Sequence, residues 1–288
     1  MPKVTVVVPV YCSSDEHAGF LRETLQSIAA QTFRDFETVI VDDCSPREIA
    51  LLVESTLLAR DLQSTLARDL QSRAKQNPLP DTRIIRNERN MGHAESRNVG
   101  IRAARGELIA FCDHDDVWLP EKLRRQVEAL EANPDAAMVF CDVEVFGPRA
   151  NRLSIDQSII PERPSFYWFA SRRNFTITAT AVMARRQAML DIGLFDSRYS
   201  TCDDFDAWLK ILMKAPVVHL PERLARYRLH ESNVNYAVDS LNDNRLLTAL
   251  IWRYWKTAPI GLRFRLLPRL ARKLIGRLYF SVRGYRSF

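Results

Sequence analysis

Three acidic clusters carry the chemistry this sequence can do. They are Asp42-Asp43, followed by Cys44-Ser45-Pro46; Asp113-His114-Asp115-Asp116; and Asp203-Asp204. Carboxylates gathered at one crevice repel each other unless a cation neutralises them. Hard oxygen ligands suit Mg²⁺ or Mn²⁺, which keeps several waters and binds through a carboxylate plus substrate phosphates. The ligand such a convergence implies is a metal-bridged diphosphate. Each cluster also has an ordinary explanation: turn chemistry for Asp42-Asp43, a loop leading into a helix for Asp115-Asp116, and a helix cap for Asp203.

The clusters need elements that deliver them to one place. Val4–Val10 (VTVVVPV) is a continuous β-branched run, the mark of a strand buried on both faces. Thr38–Val41 reads as a second strand ending at Asp42, and Arg83–Arg86 as a short third. Leu108–Cys112 is a fourth, ending at Asp113, and Met138–Val145 a fifth. Thr176–Met183 alternates like a strand, and Val217–Tyr227 is another strand region. Helical spacing marks Phe20–Ala30, Ala94–Ala104, Glu121–Ala132 behind Pro120, and Asp203–Lys214. Strand and helix alternate as in a largely parallel sheet covered by helices. In such sheets ligands bind outside the carboxyl ends of the strands, and the three acidic clusters sit where that rule puts a site: two after strands and Asp203-Asp204 at a helix start.

Composition excludes several classes. The chain has 288 residues, 47% hydrophobic and 26% charged, and no apolar run long enough to span a bilayer. The start MPKVTVVVPVY lacks the features of a secretory signal. None of the nine glycines is spaced as GxGxxG or GxxxxGK[ST] require, which argues against a dinucleotide fingerprint and a P-loop. The five cysteines form no CxxC pair, so a disulfide framework or zinc site is not expected and a reducing cytoplasm fits. A tandem repeat of eight, LARDLQST at 58–65 and LARDLQSR at 66–73, reads as a lengthened surface helix.

Seven motifs in order carry a resemblance: VVVPVY at 6–11, VIVDDCS at 39–45, NMGHAESRNVGI at 90–101, GELIAFCDHDDVWLPEKL at 106–123, GLFD at 193–196, DDFDAWLK at 203–210 and YRLH at 227–230. From about Lys3 to about Asn235 the chain resembles a family 2 glycosyltransferase of the GT-A fold, which is α/β with a Rossmann-like, mostly parallel sheet. The resemblance implies a GT-A domain over 1–235, its nucleotide-binding half at about 1–120 and its acceptor half at 121–235. A helical basic tail follows at 236–288.

The same resemblance implies the site. Pro9, Tyr11, Asp42 and Asp43 line the nucleobase and ribose pocket. Asp113 and Asp115 match the family's Asp-x-Asp, with Asp115 the direct ligand of Mn²⁺ or Mg²⁺ and Asp113 facing the ribose and the metal's waters. Arg97 steadies Asp113 or the diphosphate, and His230 lies near the metal. Asp203-Asp204 matches a Glu-Asp pair whose aspartate is the catalytic base, which makes Asp204 the base and Asp203 its support. The family usually has glycine where Cys44 stands and a small residue where His114 stands. The implied reaction is a single inverting displacement, moving a sugar from a nucleoside-diphosphate donor, UDP- or dTDP-linked, to an acceptor hydroxyl of a saccharide or lipid-linked acceptor, as in cell-surface polysaccharide or glycolipid synthesis.

Charge divides the chain. Through Asp243 there are 30 basic and 35 acidic residues; beyond it there are eleven Lys or Arg and no acid. From Pro268 onward, apolar Leu270, Ala271, Leu274, Ile275 and Leu278 face away from Arg269, Arg272 and Lys273, the pattern of an interfacial helix on an anionic membrane surface. A C-terminal helix packed on the body is the alternative. The expected location is cytoplasmic, peripheral on the inner face of the cell membrane. Two other functions remain open: a catalytically inactive sugar-nucleotide-binding protein, and a nucleic-acid-binding module using the tail. The second leaves the acidic clusters unexplained and lacks a nucleic-acid motif, so no nucleic-acid partner is expected.

Overall fold

In the computed structural model, the residues described are 1–56, 79, 81–152, 157–166, 168, 177–199, 202–231, 233, 249–250, 252–256, 263–264 and 271. Among them one eight-stranded sheet organises the chain. Its strands are β1 (Val4–Val10), β2 (Phe36–Asp42), β3 (Thr82–Arg86), β4 (Leu108–Phe111), β5 (Val117–Trp118), β6 (Met138–Phe146), β7 (Val182–Arg185) and β8 (Val217–Arg228), in the spatial order β3-β2-β1-β4-β7-β6-β8-β5. β1 to β4 are mutually parallel, and β6 is parallel to β8. β7 runs against both β4 and β6, and β5 runs against β8. The expected largely parallel sheet is present, with its parallel block at the amino-terminal side and antiparallel pairings at β7 and β5.

The helices are α1 (Asp15–Ala29), α2 (His93–Ala103), α3 (Lys122–Ala132), α4 (Arg186–Asp191) and α5 (Asp203–Leu212); residues 49–56 are also helical. Helix α1 begins a turn earlier than its apolar spacing suggests, because the Ser14 hydroxyl accepts from the His17 N–H and caps it. Helix α3 starts at Lys122, one residue later than expected, with Glu121 as its N-cap.

Strands β1 and β2 are buried along their whole length, as their largely apolar runs require. Helix α2 lies close on β1 because residue 100 is glycine: a Cβ there would stand 2.4 Å from Val7 Cγ1. That approach brings the amino-terminal end of α2 to the carboxyl ends of β1 and β4. Two expectations are corrected here. The stretch expected as a strand over 176–183 is instead a 3₁₀ turn at Ala179–Ala181 followed by β7. Asp115-Asp116 leads into the short strand β5 rather than directly into a helix. The tandem repeat lies outside the described residues. So does the expected interfacial helix, apart from Ala271.

Candidate active site

At the end of β2, Asp42 is 2% exposed. One of its oxygens accepts from the Ser45 N–H at 2.8 Å and the other from Arg86 Nη1 at 2.5 Å. Strand register places that arginine, since Asp42 stands opposite Arg86 across the β2–β3 ladder. Arg86, Asn87, Glu88, Arg89 and Met91 line a surface groove beside the pair. The Cys12 N–H donates to Ser45 Oγ at 3.0 Å, tying the end of β1 to the same turn. Pro9 is buried within β1 and Tyr11 is 41% exposed just beyond it. The Asp43 carboxylate accepts from Asn87 Nδ2 and from the backbone N–H groups of Met91 and Gly92, each at 2.8 Å. It holds the loop that leads into α2. Cys44, where the family usually has glycine, sits at φ 59°, in the left-handed region.

The other two clusters meet through Arg97. The residue is 5% exposed, and its guanidinium donates to Asp113 Oδ1 at 2.7 Å and to Asp203 Oδ2 at 3.1 Å. It also lies 5.5 Å from the centre of the Phe195 ring. Burial works against its charge, but Asp113 and Asp203 more than offset that and raise its pKa. His93, one turn earlier on α2, sets Nε2 against Asp203 Oδ1 at 2.9 Å. Burial disfavours ionised Asp203 too, yet the hydrogen bond and charge of His93, with Arg97, hold its pKa below the ordinary value.

Asp204 is the contrasting neighbour. It is half-buried, and its Oδ1 accepts only from the Phe205 N–H at 2.6 Å among the hydrogen bonds of the described residues. Burial and the adjacent charge of Asp203 push its pKa up to about 7. The residue before them, Cys202, is the N-cap and makes no side-chain capping bond, so neither aspartate serves as the cap. The helix start still favours acidic residues through its dipole.

The Asp-x-Asp loop is fastened from β8. Short β5 pairs with Ala225 and Arg226, which lays the loop beside the end of β8. There the Arg228 N–H donates to Asp116 Oδ1 at 2.8 Å, and Arg228 Nε donates to the Asp115 carbonyl at 2.7 Å. The guanidinium lies over the rings of Phe20 and Phe146 at 4.3 and 4.4 Å, with Nη2 on Glu23 at 2.5 Å. Asp116 is fully buried, and burial together with the charges of Asp115 and Asp113 raises its pKa well above the ordinary range. Asp115 behaves oppositely. Burial opposes its charge, but the hydrogen bond with His230 and the charges of His114 and His230 keep its pKa low. His230 Nε2 and Asn233 Nδ2 both reach Asp115 Oδ2, at 2.9 and 3.2 Å.

Among the described residues no group of three or more His, Cys, Asp or Glu side chains could hold a metal. Asp115 and His230 offer one hard oxygen and one imidazole, with Asp113 on the same loop. Mg²⁺ or Mn²⁺ normally completes such a shell with water and substrate phosphate.

The Glycosyl transferase family 2 profile matches residues 5–193. The chain belongs to glycosyl transferase family 2. This family member is 25% identical over 256 residues to an uncharacterized glycosyltransferase of Haemophilus influenzae, covering 88% of this chain and 78% of that one. It is 28% identical over 236 residues to another from Methanocaldococcus jannaschii, covering 79% and 71%. Its fold is the GT-A type. It matches Staphylococcus aureus TarS 1–349 in complex with UDP-GlcNAc with a TM-score of 0.68 at 20% identity, covering 97% of this chain and 73% of that one. The mannosyltransferase PcManGT from Pyrobaculum calidifontis, in complex with GDP-Man and Mn²⁺, matches with a TM-score of 0.60 at 19% identity, over 100% and 76%. The family profile stops short of Asp203, Asp204 and His230, so the places of those residues rest on the geometry above.

Sequence reasoning passed over His93, Arg86, Arg228 and Asn233. Arg228 and Asn233 flank His230, and His93 lies within NMGHAESRNVGI at 90–101, so the motifs mark these stretches without revealing the roles. Arg86 had no such signal; only the β2–β3 register reveals it.

Proposed function

We propose that the protein transfers a sugar from a nucleoside-diphosphate donor to an acceptor hydroxyl with inversion at the anomeric carbon. The observation that carries this reading is the Arg97 bridge, which puts the Asp113 loop and the start of α5 into one site. The nucleobase and ribose lie along Pro9, Tyr11 and Asp42, with Arg86 fixing the Asp42 carboxylate. Asp43, beside them, also orders the 87–92 loop that lines the groove. Asp115 and His230 would hold Mn²⁺ or Mg²⁺, with Asp113 nearby. Such an ion, when bound, stabilises the charge that grows on the leaving diphosphate.

Asp204 takes the proton from the acceptor hydroxyl. A base works best with a pKa near the operating pH, and about 7 meets that condition. Asp203, locked between His93 and Arg97, stays ionised and keeps the Asp204 pKa up. UDP- or dTDP-sugars are the donors we propose, since TarS was captured with UDP-GlcNAc. The acceptor is a saccharide or lipid-linked hydroxyl, and the reaction is cytoplasmic.

The experiment is a thermal-shift panel of nucleotide sugars with Mn²⁺ or Mg²⁺, on the wild type and on Asp115→Ala. A donor at 100 times its dissociation constant stabilises by about 2.7 kcal/mol. The expected result is metal-dependent stabilisation by one donor class, lost in Asp115→Ala. If every nucleotide sugar leaves the wild type unshifted with either metal, the reading fails.

A further inference from the structure

A second surface stands outside this site. Residues 252–256 are helical. The side of this segment toward the body is well anchored. Leu250 is fully buried and Tyr254 is 6% exposed. The Tyr254 hydroxyl donates to Asp206 Oδ1 at 2.8 Å, and its ring meets Phe166 edge-on at 5.9 Å. Away from the body, large apolar rings meet solvent: Trp252 on this segment is 41% exposed, and Phe264, later in the chain, is 68% exposed. Trp252 and Trp255 stack with ring centres 4.9 Å apart. Lys256 lies over Trp252 at 5.4 Å, and Arg263 over Trp255 at 5.7 Å.

We propose that Trp252, Lys256, Arg263 and Phe264 form a docking surface for a bilayer containing anionic phospholipid. Indoles with cations alongside are the side chains that settle at the headgroup level, apolar body inward and charge outward. Charge complementarity selects the occupant. The surface lies in the stretch beyond Asp243, which has eleven Lys or Arg and no acid, whereas the rest of the chain has an acidic excess. An anionic leaflet therefore attracts this part and repels the body. A nucleic acid fits less well. Sequence-tolerant binding of single strands uses open aromatic faces for base stacking, and here the two indoles stack on each other with cations over them.

The surface does not depend on the transfer reading. It touches that reading at one point: Tyr254 fastens it to Asp206, on the helix that begins with Asp203 and Asp204.

The test is co-sedimentation of the full chain with phosphatidylcholine vesicles, with and without phosphatidylglycerol. The wild type is expected to bind the anionic vesicles, to release them at high salt, and to bind phosphatidylcholine alone weakly. The double variant Trp252→Ala, Lys256→Glu is expected to bind the anionic vesicles about tenfold more weakly, with an unchanged melting temperature. Phe264→Ser, at an exposed position, provides a second variant with the same expected direction. Absence of wild-type binding to anionic vesicles overturns the proposal. So does equal binding by the wild type and both variants, or displacement of the protein from vesicles by a single-stranded oligonucleotide whose binding the same variants abolish.

Discussion

Replacing the proposed base should make the protein more stable, and only in a defined pH window. The Asp204 carboxyl has an ordinary pKa of 3.8 and is pushed up to about 7 in the fold by burial and by Asp203. At 1.36 kcal/mol for each unit of pKa, that rise corresponds to a ceiling of about 4 kcal/mol. The sign follows from where each state ionises. Below 3.8 both the unfolded and the folded chain carry a protonated Asp204, and the group contributes nothing. Between about 4 and 7 the unfolded chain has ionised and the folded chain has not, so stability falls as pH rises. Above about 7 the full cost is present. Asp204→Asn keeps the oxygen that accepts from Phe205 N–H but has no charge to desolvate. Because Asp204 retains part of its surface in water, the expected gain is about 1–2 kcal/mol at pH 8, shrinking toward zero near pH 4. For a chain of this size that is a rise of some 2–4 °C in Tm. Urea and thermal unfolding at pH 5 and pH 8 measure it without donor or acceptor. A gain of the same size at both pH values, or a loss at pH 8, would refute the argument that Asp204 is held at a strained ionisation. Transfer by the same variant should fall by at least ~10²-fold.

Arg97→Met removes the guanidinium that joins Asp113 to Asp203 and should cost about 3–5 kcal/mol in urea unfolding; a loss under ~1 kcal/mol would show that the bridge contributes little. Arg97→Lys cannot span both carboxylates and should recover only part of that. Cys44→Gly relieves a left-handed backbone at φ 59° and should raise stability by about 0.5–1 kcal/mol, whereas Cys44→Ala should not. Arg228→Lys gives up the bond to the Asp115 carbonyl and should weaken metal-dependent donor binding by roughly tenfold, read by titration calorimetry, with a smaller effect on Tm.

What the sequence revealed, and what it hid, follows the range of the interactions. The runs Val4–Val10 and Phe36–Asp42 are legible because strands buried on both faces must be apolar throughout. The acidic clusters are legible because a strand end followed by carboxylates is a local pattern. The 176–183 stretch misled because its alternation suggests one wet face, but residues 177–184 are buried on both sides. Buried Thr180 instead accepts from Trp118 Nε1 at 3.1 Å, and the backbone there turns. Strand β5 was missed because two residues carry no period; it exists because Leu224 and its neighbours on β8 receive it. The partners of the acids were hidden for the same reason. His93 reaches Asp203 across 110 positions, and Asn233 reaches Asp115 across 118. No spacing rule operates at that distance.

Those separations also set an order of events while the chain is being made. The loop at 113–116 emerges well before the strand end that fastens it: Arg228 follows Asp116 by 112 residues. At about 5–20 residues per second, synthesis needs roughly 6–20 s to supply that arginine, and His230 with it. Arg97 is available to Asp113 from the outset, but Asp115 and Asp116 must wait. The parallel block β1–β4 can assemble during that interval around a loop that is not yet fastened. A nascent chain arrested before Arg228 would have most of the groove beside Asp42 and no fixed Asp115, so nucleoside recognition and metal-dependent recognition should appear at different chain lengths.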